Sequence, residues 1–260
     1  MSPAAGRGAV ARLNPVAKLG ASLVIAVPLV FTIDPVSAGV ALLLELPLLL
    51  LAGMPVRQLL LRTLPVWIAA PLTGVTIALY GAPAGEVYVE WFVVRVSEGS
   101  LLLALATVLR VLAIGLPAVV LFATVDPTDL ADGLAQLVRL PARFVLGALA
   151  GMRLLGLLAD DWRALALARR ARGIADRGRV RRVLGMAFAL LVLSIRRGST
   201  LSVAMEARGF GASPRRTWAR ASRFAGGEWM LLLAAAAISG TAVAIAVATG
   251  WWNPVLVPAA

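Results

Sequence analysis

The chain has 260 residues, of which 60% are hydrophobic, and it carries a formal net charge of +12. A water-soluble domain could not bury this much apolar side chain, so the composition predicts an all-α integral membrane protein. The sequence contains no cysteine and no histidine. Disulfides, thiolate chemistry, histidine-ligated zinc and histidine-based catalytic triads are therefore excluded.

Five apolar runs predict about five transmembrane helices, within a range of four to seven. A run of about 20 apolar residues crosses the hydrocarbon core of a bilayer. Prolines at positions 28, 47, 71 and 117 and the shortness of the first run favour tilted or broken helices. The runs cover residues 19–33, 36–53, 64–80, 101–122 and 229–247.

Basic residues are concentrated at the N-terminus, in the second connection and in residues 139–223, which together hold 23 of the 25 lysines and arginines. Five crossings place all 23 on one side of the membrane, and the positive-inside rule assigns that side to the cytoplasm. The expected parts are N-terminal transmembrane helices at 1–123, a cytoplasmic or membrane-surface region at 124–226, and the last transmembrane helix with the C-terminus at 227–260.

The region 124–226 opens with a predicted helix start, in which Asp126 is the N-cap and Pro127 occupies the first helical position. It then contains two near-repeats, Ala-Arg-Arg-Ala-Arg-Gly at residues 168–173 and Ala-Met-Glu-Ala-Arg-Gly at residues 204–209. Each follows a helical segment rich in alanine, leucine and arginine. These helices are too apolar for a free cytoplasmic domain and too rich in arginine for a plain spanning bundle, so we expect long amphipathic arms at the membrane surface.

Two charged residues lie near the middle of apolar runs, Glu45 in the second and Arg110 in the fourth. An unpaired charge there costs about 2.5–3.5 kcal/mol on insertion scales, so we hypothesise that the two residues pair. The alternatives are a protonated Glu45 or a partner protein that meets Arg110. Gly147 and Gly151 have GxxxG spacing, which is typical of close packing against another helix, although such spacing also arises by chance.

The sequence resembles the transmembrane T component (EcfT/CbiQ-like family) of energy-coupling factor transporters, which import vitamins and metal ions in prokaryotes. The resemblance begins at residues 13–19, Leu-Asn-Pro-Val-Ala-Lys-Leu, although Asn14 stands where aspartate is common. It continues at Thr-Val-Asp-Pro in residues 124–127. It is strongest at the two near-repeats, the second of which extends through Phe-Gly to residue 211.

The resemblance implies a coupling subunit that joins two cytoplasmic ATP-binding-cassette ATPases to a small membrane S component, which binds the substrate. The arms would end in two coupling helices, each docked in a groove of one ATPase. The partners would bind the ATP, and this chain would need no cofactor or metal of its own. The docking residues carried over are Ala171, Arg172, Gly173, Ala207, Arg208 and Gly209. The expected location is the plasma membrane of a prokaryote, with the N-terminus and the coupling region in the cytoplasm.

Other functional classes have less support. A stand-alone secondary carrier or channel needs several polar groups along a midplane path, and only Glu45 and Arg110 are candidates. For an enzyme, Asp160–Asp161 is the only adjacent acidic pair, and no second acidic cluster lies nearby to build a magnesium site. No glycine-rich phosphate loop is present. A nucleic-acid site near Arg215 and Arg216 would rest on charge alone, so neither catalytic residues nor a nucleic-acid partner are expected.

Overall fold

The computed structural model describes residues 9–51, 53–81, 84–91, 94–173, 178–211, 217–218 and 220–254. These residues form eight α-helices and one two-stranded antiparallel hairpin, which confirms the expected all-α fold class. The elements are α1 (Pro15–Val30), α2 (Pro35–Leu51), α3 (Val56–Tyr80), β1 (Val87–Trp91), β2 (Val94–Ser97), α4 (Glu98–Phe122), α5 (Pro127–Gln136), α6 (Ala142–Ala171), α7 (Arg179–Ala207) and α8 (Gly226–Ala248).

The chain divides into two compact units. Met1–Gly133 and Ser222–Ala260 form the first, and Leu134–Ala221 form the second, which contains α6 and α7. The first unit thus joins the N-terminal helices to the last helix. Sequence reasoning divides the chain at 123 and 226 instead, because apolar runs mark the helices but do not show which of them pack together.

Helix directions in the first unit follow from contacts at its two ends. The backbone N–H of Asn14, just before α1, donates to Glu228 Oε1 in the first turn of α8, at 3.1 Å. Beyond the other ends of the same helices, the N–H of Ile33 donates to the carbonyl of Asn253, at 2.8 Å. Helices α1 and α8 are therefore parallel.

Helix α4 runs in the opposite direction to α1 and α3. The Lys18 ammonium, in the first turn of α1, donates to Thr124 Oγ1 just after α4, at 2.8 Å. Arg62, near the start of α3, donates to the carbonyl of Ala123, at 2.7 Å. The starts of α1, α3 and α8 and the end of α4 therefore meet at one end of the first unit, as alternating crossings require.

Small side chains allow these helices to pack closely. Ala17 and Ala21 of α1 and Ala235 and Ala242 of α8 are buried in the same cluster. Helix packing in membranes depends on van der Waals contact, and small residues let helix backbones approach. Leucines and valines of α2, α3 and α4 form a second cluster beside it.

Helix length separates the apolar helices into two groups. Among the described residues, five helices are long and apolar enough to cross a membrane, namely α3, α4, α6, α7 and α8. Helices α1 and α2, with 16 and 17 residues, are shorter than the roughly 20 residues that a span requires. The number of such helices agrees with the expectation, but the helices are not the expected ones. Helices α6 and α7 meet the length and hydropathy criteria, although they were expected to be surface arms.

The segment between α3 and α4 contains the β1–β2 hairpin. Its strands are joined by an ion pair between Arg95 and Glu90, at 2.8 Å. Helix α4 then begins with a capping box, in which the hydroxyl of each of Ser97 and Ser100 accepts from the backbone N–H of the other. The cap fixes the first turn of α4 directly after the hairpin.

Two arginine-tipped helix ends as the candidate docking site

The first Ala-Arg-Gly triplet is the C-terminus of α6. Ala171 is the last helical residue, and Arg172 is the C-cap, with φ −88° and ψ 4°. Gly173 follows with φ +69°, in the left-handed region that glycine adopts without steric cost. Its N–H donates to the carbonyl of Arg170, at 3.0 Å. All three triplet residues are exposed.

The second triplet ends α7 in the same way. Ala207 is the last helical residue, Arg208 is the C-cap with φ −91° and ψ 12°, and Gly209 has φ +77°. The N–H of Gly209 donates to the carbonyl of Glu206, at 2.9 Å. The N–H of Phe210 reaches back to the carbonyl of Met205, also at 2.9 Å. This pair of bonds is the Schellman motif, a common way to end a helix at glycine.

The structure gives the glycines a role that sequence reasoning missed. The sequence favours alanine and glycine beside the arginine because small residues allow a partner backbone to approach. Gly173 and Gly209 are also required by their own backbone, since other residues rarely adopt positive φ. A Cβ at either position would meet no atom within 4 Å, so the surface beside each arginine is open.

Arg172 and Arg208 form no ion pair with any residue that the structure describes. Both lie at helix C-termini, where the helix dipole is negative and a basic residue is stabilised. Each guanidinium keeps its planar set of donors available to an external carboxylate. The arrangement therefore presents two equivalent cationic tips to the surroundings.

The two tips lie at opposite ends of an antiparallel helix pair. Late residues of α6 meet early residues of α7, as where the guanidinium of Arg169 lies 3.2 Å from the position that a Cβ of Gly185 would take. Near the other end, Leu154 of α6 and Met205 of α7 line one cleft. Helix α6 therefore ends beside the start of α7, and α7 ends beside the first half of α6.

A cleft of about 570 Å³ adjoins the second triplet. Its walls are leucines of α6 together with Met205, Arg208 and Phe210. A neighbouring groove of about 320 Å³ is lined by small residues of both helices, Gly147 and Gly151 of α6 and Gly198 and Ser202 of α7, and also by larger residues such as Leu201 and Phe210. A Cβ at either of these α6 glycines would meet nothing within 4 Å, so this GxxxG spacing does not pack against the described part of the chain.

Asp126 and Pro127 lie at the start of α5. Pro127 is its first residue, and Asp126 Oδ1 accepts from the N–H of Thr128, at 2.7 Å. This geometry is that of an N-cap. In the described part of the chain, acidic side chains form no group of three or more that could hold a metal ion.

Sequence reasoning missed the interactions of Asn14 and Lys18. The Asn14 amide donates to Ser222 Oγ at 2.9 Å and to the carbonyl of Arg223 at 3.0 Å, while its oxygen caps α1. Lys18 is almost fully buried and donates to acceptors at Ala11 and Thr124. The one signal of these interactions in the sequence is Lys18 itself, a charged residue at the edge of an apolar run.

The hypothesised pair of Glu45 and Arg110 is not formed in this structure. Glu45 is fully buried, and neither of its carboxylate oxygens has a hydrogen-bond partner among the described residues. Arg110 instead donates to the carbonyl of Val30, at 3.1 Å. Helix α1 ends at Val30, so its last carbonyls lack intrahelical partners and one of them is available to the guanidinium.

Arg215 and Arg216, the candidates for a nucleic-acid site, lie outside the described residues. The nucleic-acid interpretation therefore gains nothing from the structure.

Comparison with known proteins gives a family. The sequence profile of the CbiQ family, described as cobalt transport protein, matches residues 7–218. Three relatives bear the name energy-coupling factor transporter transmembrane protein EcfT. The relative from Bacillus selenitireducens is 30% identical over 224 residues, which is 82% of this chain and 83% of that protein.

The relative from Brevibacillus brevis is 25% identical over 216 residues, 78% of each chain. That from Limosilactobacillus fermentum is 30% identical over 158 residues, which is 55% of this chain and 59% of that protein. The profile match includes both Ala-Arg-Gly triplets. This chain is a multi-pass membrane protein that belongs to the EcfT/CbiQ-like family of energy-coupling factor transporter transmembrane components.

Proposed function

We propose that this chain is the coupling subunit of an importer, joining two ABC-type ATPase subunits to a membrane S component. Movement driven by ATP in the ATPases passes through α6 and α7 to the S component, which releases a vitamin or a transition metal ion into the cell. The observation that carries the proposal is the pair of equivalent, exposed helix ends, each with a guanidinium that has no ionic partner in the described chain.

Arginine suits this task for a chemical reason. The guanidinium remains protonated at any physiological pH and offers a planar fork to a carboxylate, so an ion pair can persist while the ATPases open and close. Two ends with the same Ala-Arg-Gly geometry suit two partners with equivalent grooves. The chain itself has no glycine-rich phosphate loop, so in this proposal it hydrolyses nothing and the partners bind the ATP.

The groove beside the second triplet is a candidate contact for the S component. Gly147 and Gly151 of α6 face it together with Gly198 and Ser202 of α7, so both helices present small residues at a spacing of four. In membranes such surfaces admit a partner helix at close range. The apolar cleft next to it would cover larger side chains of the same partner.

The orientation of the first unit supports a cytoplasmic location for the docking region. The starts of α1, α3 and α8 and the end of α4 lie at one end of this unit, as the contacts of Asn14, Arg62 and Lys18 show. The basic segments of the sequence enter and leave the unit at that end. By the positive-inside rule, this end faces the cytoplasm of a prokaryotic cell and the surrounding surface contacts the lipid bilayer.

The test is co-purification with candidate ATPase subunits after co-expression and solubilisation. We expect the wild type to retain both ATPases, and the double variant Arg172→Glu/Arg208→Glu to lose them because each reversed charge repels the carboxylate in its groove. Arg196→Glu is the matched control, since Arg196 is equally exposed but lies in mid-helix. Retention of both ATPases by the double variant would contradict the proposal, because docking would then not depend on the two arginines. A wild type that retains no ATPase would favour a carrier that works without them.

A further inference from the structure

One ion pair joins α6 to α7. The Arg197 guanidinium lies with Nη1 at 2.6 Å from Asp161 Oδ2, and Nη2 donates to Asp161 Oδ1, at 3.0 Å. The Nη2 contact is a hydrogen bond, whereas Nη1 and Oδ2 are in close electrostatic contact without a hydrogen bond. A hydrogen bond between two ionised groups is shorter and stronger than one between neutral groups. The side chains are only 35% and 20% exposed, so water screens this pair less than a surface pair.

The pair differs from its neighbour in sequence. Asp160 pairs with Arg163 at 3.1 Å within α6, and both of those side chains are more than 70% exposed. Such a local surface pair contributes little to stability, because water screens it. Among the ion pairs of the described residues, Asp161–Arg197 is the one that connects two helices.

Open space flanks the pair on both sides along the helices. Toward the first triplet lies a cleft of about 210 Å³ between Trp162 of α6 and Met186 of α7. Toward the second triplet lies the cleft of about 570 Å³ that Leu154 and Met205 line. A cleft therefore lies on either side of the pair along α6 and α7, and we call the Asp161–Arg197 contact the crossing of the two helices.

The pair is also equidistant from the two docking arginines. Arg172 follows Asp161 by eleven residues, and Arg208 follows Arg197 by eleven residues. At 1.5 Å per residue, each arginine lies about 16 Å along its helix from the crossing. Eleven residues are about three turns, so each docking arginine lies on the same side of its helix as the member of the pair.

We propose that the Asp161–Arg197 pair is the pivot that holds α6 and α7 at their crossing and fixes the distance between the two Ala-Arg-Gly ends. This inference rests on the proposed docking function, because only a chain with two docked ends uses that distance. A turn of about 10° at the pivot moves each end by about 3 Å, over an arm of about 16 Å. Asp161 and Arg197 are thus positioning residues that touch neither ATP nor substrate.

The test measures distances across the crossing in the full chain, without ATPases. The protein has no cysteine, so pairs of introduced cysteines take spin labels specifically. Leu155→Cys with Val203→Cys reports on one side of the pivot, and Leu167→Cys with Leu191→Cys reports on the other. Each of these positions lies six residues from the pair and is exposed.

We expect narrow distance distributions in the wild type and, with Asp161→Asn, distributions about twofold wider on both sides, because the partly buried guanidinium of Arg197 loses its charged partner. Asp160→Asn is the matched control and should leave both widths unchanged. The swap Asp161→Arg/Arg197→Asp should narrow them again. Unchanged widths with Asp161→Asn, or no narrowing with the swap, would overturn the proposal.

A conservative variant covers the case in which Asp161→Asn fails to fold. Arg197→Lys keeps the charge but loses the contact through two nitrogens, so it should widen both distributions less than Asp161→Asn. Unchanged widths with Arg197→Lys would also overturn the pivot. Charge reversal at Arg172 and Arg208 tests ATPase docking separately, so the pivot and the docking function can fail independently.

Discussion

Each residue of an Ala-Arg-Gly triplet has a separate physical role. The alanine ends the helix, the arginine caps it with its guanidinium exposed, and the glycine reverses the chain with positive φ. The triplet is therefore a helix terminator and a cationic tip in three residues. Its function depends on the backbone as much as on the charge.

The glycine can be tested without touching the charge. Gly209→Ala places a Cβ at φ +77°, which costs about 1–2 kcal/mol, so we expect a displaced Arg208 and ATPase affinity about tenfold weaker. Gly198→Ala is the control, since Gly198 is inside α7 and a Cβ there meets nothing. Binding titrations with purified ATPases measure both, and equal affinity for the two variants would show that the turn is unimportant.

Asn14 makes hydrogen bonds that an aspartate at the same position could not make. Its amide donates to Ser222 Oγ and to the carbonyl of Arg223, and a carboxylate cannot donate. We expect Asn14→Asp to lower the free energy of unfolding by about 1–3 kcal/mol. Glu228, which accepts from the backbone of residue 14, adds like-charge repulsion.

Thermal unfolding of the solubilised protein measures the effect of Asn14→Asp. Gln136→Glu is the control, because Gln136 also donates its amide to a carbonyl, that of Arg220, but at an exposed site. Gln136→Glu should lower the free energy of unfolding by less than Asn14→Asp does. Equal stability of Asn14→Asp and the wild type would show that Ser222 and Arg223 do not need the donor.

Charge and spacing were sufficient to locate the triplets, the helix start at Asp126 and the apolar helices, because each depends on neighbours in sequence. The interactions of Asn14 and Lys18 depend on residues more than 100 positions away, which no local pattern reports. Glu45 and Arg110 show the same limit. Their similar depth in two apolar runs suggested a pair, but it could not show that α1 ends beside Arg110, where the carbonyl of Val30 accepts from the guanidinium.

At the scale of elements, α6 and α7 are long helices held together at one crossing and open on either side. Sequence reasoning predicted both helices and their two ends. It did not predict their antiparallel pairing, since the ion pair joins positions 36 residues apart, a separation that no local pattern reports. The small-residue groove also arises only when Gly147 and Gly198, on different helices, lie together.

The groove gives a prediction at this scale. Gly151→Leu fills the groove from α6, so we expect the S component to be lost while both ATPases remain bound. The pair of helices α6 and α7 should tolerate the change, since a Cβ at residue 151 meets nothing within 4 Å and leucine favours helix more than glycine does. Gly156→Leu is the control, because Gly156 is equally open and lies outside the groove.

Co-purification with a tagged S component measures this outcome. Retention of the S component by Gly151→Leu would remove the groove from the proposed interface. Loss of the ATPases with the same variant would mean that the groove supports docking instead.

At the scale of the whole molecule, the first unit is a bundle of apolar helices and the second carries the two cationic tips. The composition predicted the membrane class, and the distribution of charge predicted which segment would carry the tips. The sequence could not show that the first and last segments form one unit, because that depends on α1 and α8 packing through buried alanines far apart in the chain.

The central claim is that each arginine-tipped end holds one ATPase. Native mass spectrometry of the solubilised complex without nucleotide counts the ATPase copies bound. We expect two copies on the wild type, one on Arg172→Glu, one on Arg208→Glu and none on the double variant. Two copies on the double variant would contradict the claim, because docking would then depend on some surface other than the two helix ends.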